Sequence, residues 1–178
     1  GGEIYIGVVG PVRTGKSTFI KRFMDLMVLP GIDNVHEREQ ARDELPQSAA
    51  GRTIMTTEPK FIPKEAVSVH ISDDIQVKIR LIDCVGFMVD GASGHMEDDK
   101  DRMVKTPWYE DPIPFTKAAH IGTQKVIRDH STIGLVITTD GSFGEIAGES
   151  FAAAEEMAVG ELKQIGKPFI VVVNTTRP

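Results

Sequence analysis

At 178 residues, 40% of them hydrophobic and 26% charged, the chain has the size and composition of one domain around a single core. No stretch reaches the roughly 20 consecutive apolar residues of a membrane-spanning helix, and no collagen-like repeat is present. The 20 basic and 26 acidic side chains sum to a formal −6, without the broad basic face that nucleic acid demands, so no nucleic-acid partner is expected.

The first apolar run, residues 4–9, is short and β-branched, as in a buried strand. It leads directly into residues 10–17, GPVRTGKS, which satisfy G-x-x-x-x-G-K-[S/T] between that strand and a helix predicted over 16–29. Gly10 and Gly15 permit a tight turn that aims amide groups at phosphate oxygens, and Pro11, Val12 and Thr14 complete the wall. The helix start adds its positive end. Lys16 is expected to reach the β- and γ-phosphates as a compact charge, Ser17 to ligate Mg²⁺, and Thr18 to border the phosphates in a largely structural role. Arg13 has two readings: a charge that crosses to its own or a neighbour's phosphates, or a solvated surface arginine.

Residues 30–59 read as a long loop with room for one short helix in HEREQARDEL. The loop ends in GRTIMTTEP, where Thr56 and Thr57 are candidates for Mg²⁺ ligation (Thr57) and for sensing the γ-phosphate; spacing does not choose between them, and a merely polar loop is the alternative. Strands follow at 67–71 and 77–82, the second delivering Asp83 at its end. DCVG then matches D-x-x-G: Asp83 is expected to hold Mg²⁺ through water, and the Gly86 amide to contact the γ-phosphate. Cys84 reads as a small buried hydrophobe without chemistry. Phe87, directly after DCVG, cannot hydrogen-bond a water.

Residues 86–114 look irregular, with an acidic MEDDKD stretch read as a solvated loop and an aromatic group, Trp108, Tyr109 and Phe115, read as pinning the segment to the body. A helix over 115–130, a strand at 133–138, a helix over 151–166 and a strand at 169–173 complete the alternation, which defines an α/β domain. The nearly unbroken PFIVVV predicts a strand covered on both faces. His36, His70, His95, His120 and His130 lack zinc-site spacing. The lone cysteine and the absence of a cleavable leader in residues 1–9 suit a reducing, cytoplasmic setting. Termination directly after a core strand suggests a piece of a longer protein.

In this order, GPVRTGKS, TTEP, DCVG and the strand ending VVVN resemble the translation-factor-like branch of P-loop NTPases. The resemblance implies a three-layer P-loop fold, a mostly parallel sheet with helices on both faces. That branch carries Asn-Lys-x-Asp after the last of these strands, its aspartate accepting from guanine; here Asn174, placed at the nucleotide, is followed by Thr175, Thr176 and Arg177. With WYEDPIPF and IGLVITTDGSFGEI included, the chain resembles over its whole length the N-terminal ATPase domain of the stage IV sporulation protein A family. That implies ATP and Mg²⁺ as ligands, with phosphate-binding Lys16, sensor Thr56 and Thr57, and metal-site Asp83. It further implies a morphogenetic protein that polymerises with itself into the basement layer of the bacterial spore coat. The setting would be the mother-cell cytoplasm at the forespore surface. Other coat proteins would be partners, and a small amphipathic membrane-anchoring peptide would link it indirectly to the forespore membrane. Residues 1–178 would be the ATPase domain, with middle and C-terminal domains elsewhere. A GTP-dependent switch is the alternative, and a scaffold without hydrolysis is a third reading that Phe87 suggests.

Overall fold

The computed structural model describes residues 2–46, 57–92 and 96–177. Its centre is a five-stranded sheet in the order β2-β3-β1-β8-β9. Strands β1 (Glu3–Val9), β3 (Ile75–Asp83), β8 (Ile133–Thr139) and β9 (Phe169–Asn174) run parallel, and β2 (Lys60–Ser72) pairs antiparallel with β3 at one edge. Parallel pairing puts the carboxyl ends of four strands on one border. Val8 lies beside Asp83, Val9 beside Val136, and Thr139 beside Asn174. In open α/β sheets ligands bind at this border.

Helix α1 (Lys16–Phe23) continues through a π-helical turn and a 3₁₀ turn to Gly31, close to the predicted span. Its fully buried Ile20, Met24 and Val28 recur on one face and pack with Val8, Ile62, Leu81 and Ile137. Burying each such side chain contributes about 2 kcal/mol. Helix α2 (Val35–Asp43) fills the predicted loop, started by Asn34, whose side chain accepts from the amides of His36 and Glu37 at 2.9 and 3.2 Å. Its Ala41 joins the same core. Helices α3 (Phe115–Lys125, continued to His130) and α4 (Ala152–Gln164) cover the other face, where Val126, Ala154, Ala158 and Leu162 pack with Val9, Phe87 and Val136. The three layers expected from the alternation are present.

Three local expectations need correction. Strand β2 begins seven residues earlier than the predicted 67–71, because an antiparallel edge strand accepts polar residues that a buried-strand pattern rejects. The segment 86–114 is not irregular throughout: it holds the hairpin β4 (Met96–Glu97) with β5 (Lys100–Asp101), and the hairpin β6 (Met103–Thr106) with β7 (Tyr109–Pro114). Asp98 and Asp99, with φ of 48° and 61°, form the two-residue turn of the first, a place that Asp tolerates. Strand β9 is an edge of the described sheet, with Ile170 64% and Val173 53% exposed, so its apolar run is not covered on both faces. The aromatic group does pin its segment: Phe115 is buried, Tyr109 lies over Lys117 at 5.1 Å and Trp108 over Lys125 at 5.7 Å. No helix among the described residues is long and apolar enough to cross a membrane.

Candidate functional site

Residues 10–17 leave the carboxyl end of β1 and turn into α1. Gly10 (φ 129°) and Gly15 (φ 87°) occupy backbone conformations that side chains resist. A Cβ on Gly10 would strike the Ile137 carbonyl, and one on Gly15 would lie 2.7 Å from Asn174 Nδ2. The loop is sewn to the segment after β3 by two main-chain hydrogen bonds of 3.0 Å, Phe87 N–H to the Gly10 carbonyl and Val12 N–H to the Phe87 carbonyl. The Val12 amide is therefore used within the protein, and Pro11 has none. Donors for a ligand come from the later loop and the first turn of α1, whose leading amides have no intrahelical acceptor. Ser17 and Thr18 are exposed in that turn, and Arg13, at φ 61°, is exposed at the tip of the loop.

Lys16 is only 7% exposed, and its ammonium donates to the Pro11 carbonyl at 3.0 Å, which also accepts from Thr14 Oγ1 at 3.0 Å. Burial holds the Lys16 pKa below its ordinary value, opposed by the nearby Cys84 and Asp83. Burial likewise pushes the Asp83 carboxyl above the usual carboxylate range, opposed by Lys16 and by the Cys84 amide, which donates to Asp83 Oδ1 at 2.9 Å. Lys16 is buried and Asp83 half-buried, and each partly offsets the shift that burial imposes on the other. The Cys84 thiol lies 3.5 Å from the Val8 carbonyl, and burial raises its pKa to about 11, which leaves it without a nucleophilic form near neutrality.

Gly86 lies against Lys16 from the β3 side. At φ 97° a Cβ there would lie 2.8 Å from Lys16 Nζ and would meet the Gly10 carbonyl oxygen closer still. The chain can approach Lys16 this nearly only as glycine. Phe87 contributes its main chain alone, because the ring is buried in the core 5.1 Å from the His120 ring. Thr57 is buried against α3, where a Cβ on Gly122 would meet the Trp108 ring at 3.3 Å and the Thr57 carbonyl closer. Thr56 lies outside the described residues. No group of three or more His, Cys, Asp or Glu side chains suited to a metal occurs among the described residues. A cage made wholly of protein ligands is not found there, whereas Mg²⁺, which keeps waters and takes one or two protein oxygens plus phosphates, suits Ser17 and Asp83.

From β9, Asn174 Nδ2 donates to the Thr14 carbonyl at 3.0 Å, so this side chain props the phosphate loop. One set of residues escaped the sequence reading. Asp140, just after β8, accepts the Ser142 amide at 2.9 Å and the Thr175 hydroxyl at 2.8 Å, and hydrogen bonding to the Ser142 side chain, then to Thr175 and the Ser142 amide, draws its pKa down to about 2. Ser142 in turn accepts the Thr176 amide through its hydroxyl at 2.8 Å and the Thr176 hydroxyl through its carbonyl at 3.2 Å. The sequence Asp-Gly-Ser after an apolar run marks an Asx turn, but not its partner 35 residues away. A cavity of about 660 Å³ has Arg13, Gly15, Phe143, Ile146 and Phe151 among its lining residues.

A strand–loop–helix cradle with a buried lysine, an aspartate ending the adjacent parallel strand and a three-layer sheet defines a P-loop nucleoside triphosphatase. Residues 1–178 match the family described as stage IV sporulation protein A, ATPase domain, and the chain belongs to that family. It is 64% identical over 178 residues to stage IV sporulation protein A of Bacillus subtilis (strain 168), and 62% identical over 178 residues to that of Bacillus anthracis, each alignment covering all of this chain and 36% of the relative. The protein of the same name from Clostridioides difficile (strain 630) is 55% identical over 177 residues, 99% of this chain and 36% of the relative. The chain therefore spans 36% of the length of these relatives. Family membership makes it an ATPase domain that binds nucleotide.

Proposed function

We propose that residues 10–17 hold the phosphates of ATP with Mg²⁺, and that hydrolysis by this domain drives the longer protein to assemble on itself within the spore coat. The observation that carries the reading is the buried Lys16 at the end of a strand–loop–helix turn, with Gly86 packed against its ammonium and the Asp83 carboxyl near enough to act on its charge. Lys16 would bind the β- and γ-phosphates, and Ser17 and Asp83 would hold Mg²⁺, which when bound neutralises charge on the transferred phosphoryl group. The Gly86 amide would meet the γ-phosphate, and Thr57, or Thr56 beside it, would sense it. Coat proteins and a membrane-anchoring peptide would be partners at the forespore surface in the mother-cell cytoplasm, with the remaining domains of the longer chain completing assembly. With Phe87 in the core, no side chain at that position orients the attacking water, and turnover should be slow, as suits one hydrolysis per assembly event.

Phosphate release by the full-length protein, measured with Mg²⁺ at matched ATP and GTP concentrations, is expected to favour ATP, with light scattering rising in parallel. Preference for GTP would replace this reading with the guanine switch, and no release from either would leave a scaffold. Arg13→Ala is expected to lower kcat by about 10-fold or more while ATP affinity changes less, as for a charge that acts on the transition state. Unchanged turnover would return Arg13 to the surface.

A further inference from the structure

Strand β9 lies at the border of the described sheet, yet its side chains are those of an interior strand. A sheet edge that meets water is normally blunted by charge, proline or a bulge, and FIVVVN, in unbroken register with β8, has none of these. Side chains alternate between the two faces. Ile170 and Val172 therefore share the face of α1, where Val172 packs into the cluster of Ile20 and Met24, while Phe169, Val171 and Val173 share the face of α4. With Ile170 64%, Val171 41% and Val173 53% exposed, both faces of the strand are open. On the α1 face the opening reaches inward, because Leu135, beside Ile170 in the register, is itself only half-buried. The outer backbone is open as well. The Gly134 amide donates to the Pro168 carbonyl at 2.9 Å, and regular parallel pairing from there turns the amides of Ile170 and Val172 towards β8. Those of Phe169, Val171 and Val173 point away from it.

We propose that chain following residue 178 in the longer protein covers this border, with a strand that pairs parallel to β9 along its outer edge and helices of the same segment on both faces. The matched relatives have the length for it, since residues 1–178 span 36% of them. The hand of the connections sets the arrangement. Strand β8 passes outward to β9 through α4, on the face opposite α1, so a further outward step of the same right hand puts its helix next to α4, over Val171 and Val173. A helix after the new strand, turning back over the sheet, lies on the other face, over Ile170 and Leu135. A second copy of this domain is the poorer occupant. Two β9 edges joined about a two-fold axis would pair their outward amides, but each copy brings the same uncovered faces and no helix to close them. The proposal does not depend on nucleotide binding at residues 10–17.

The test uses the full-length protein without nucleotide, diluted until sedimentation shows a monomer. Hydrogen exchange resolved to single residues is expected to find the amides of Phe169, Val171 and Val173 slowed about 10²-fold or more, like those of Ile170 and Val172. Exchange at the rate of an open strand edge overturns the proposal. So does protection seen only in concentrated protein, which assigns the edge to a second copy. A benzophenone side chain in place of Ile170, activated by light, identifies the occupant, and the expected cross-linked peptide comes from the same molecule beyond residue 178. In a mixture of isotope-labelled and unlabelled protein, a link between the two kinds of chain, or links only within residues 1–178, overturns the assignment. Ile170→Lys checks burial without a probe: it is expected to lower Tm by about 5 °C or more, because a lysine cannot follow isoleucine under a helix. Ile71→Lys on strand β2 is the comparison, since Ile71 is exposed to a similar degree and has no proposed cover. Equal small shifts in the two variants count against the covering segment.

Discussion

Replacing Lys16 with alanine is expected to weaken ATP binding roughly 10- to 150-fold, the 1.5–3 kcal/mol of a hydrogen bond to a charged group, and to lower kcat by a further ~10²-fold or more. The affinity loss follows from where the ammonium sits. It is nearly buried against the Pro11 carbonyl, so its attraction for phosphate is little diluted by solvent. A second consequence falls on Asp83. Burial already raises its pKa and Lys16 opposes that rise, so without the lysine the carboxyl moves further up and offers less negative charge to Mg²⁺. Isothermal titration with ATP reads the first effect, and the dependence of residual turnover on Mg²⁺ concentration reads the second. An unaltered dissociation constant would remove the cradle from the account.

The second large effect belongs to Gly86→Ala. The positive φ of 97° alone costs about 1 kcal/mol for alanine. The added carbon would also press on Lys16 Nζ, on the Gly10 carbonyl and on Val12 N at 3.3 Å, the last two being atoms of the main-chain bonds with Phe87. Relieving that overlap opens the seam between the phosphate loop and β3. The expected loss is about 2–4 kcal/mol of stability, or roughly 5–15 °C in Tm, together with a fall in ATP turnover. Gly91→Ala is the internal comparison: φ there is 84°, but nothing lies within 4 Å of the added carbon. It should show the conformational cost alone, about 1 kcal/mol, and retain most of the activity. Equal losses at the two positions by thermal melting would mean that close approach at Gly86 contributes nothing.

Much of the site could be read from residue order. GPVRTGKS announces a strand–loop–helix turn within eight residues, and DCVG places a carboxylate at the end of an apolar strand. Both signals are local, so spacing alone carries them. The bonds that hold the site together are not local. Asn174 reaches Thr14 across 160 positions, and Asp140 meets Thr175 across 35. Nothing in Asp-Gly-Ser or Asn-Thr-Thr-Arg distinguishes such partners from ordinary turn residues. The first seven residues of the antiparallel strand β2 and the two small hairpins escaped for a related reason: short or edge strands lack the apolar run by which buried strands are recognised.

By itself the sequence determined the alternation of short apolar strands and helices, the glycines that shape the loop after β1, and the lysine and aspartate set at the ends of that loop and of β3, because each depends on periodicity or on neighbours a few residues away. Only the tertiary structure decided that Lys16 is buried with the Asp83 carboxyl near enough to act on its charge, that Gly86 must be bare to pack against its ammonium, and that Asp140 is held by Thr175. Parallel strand pairing brings distant carboxyl ends to a single border, and burial there changes how strongly their charges act.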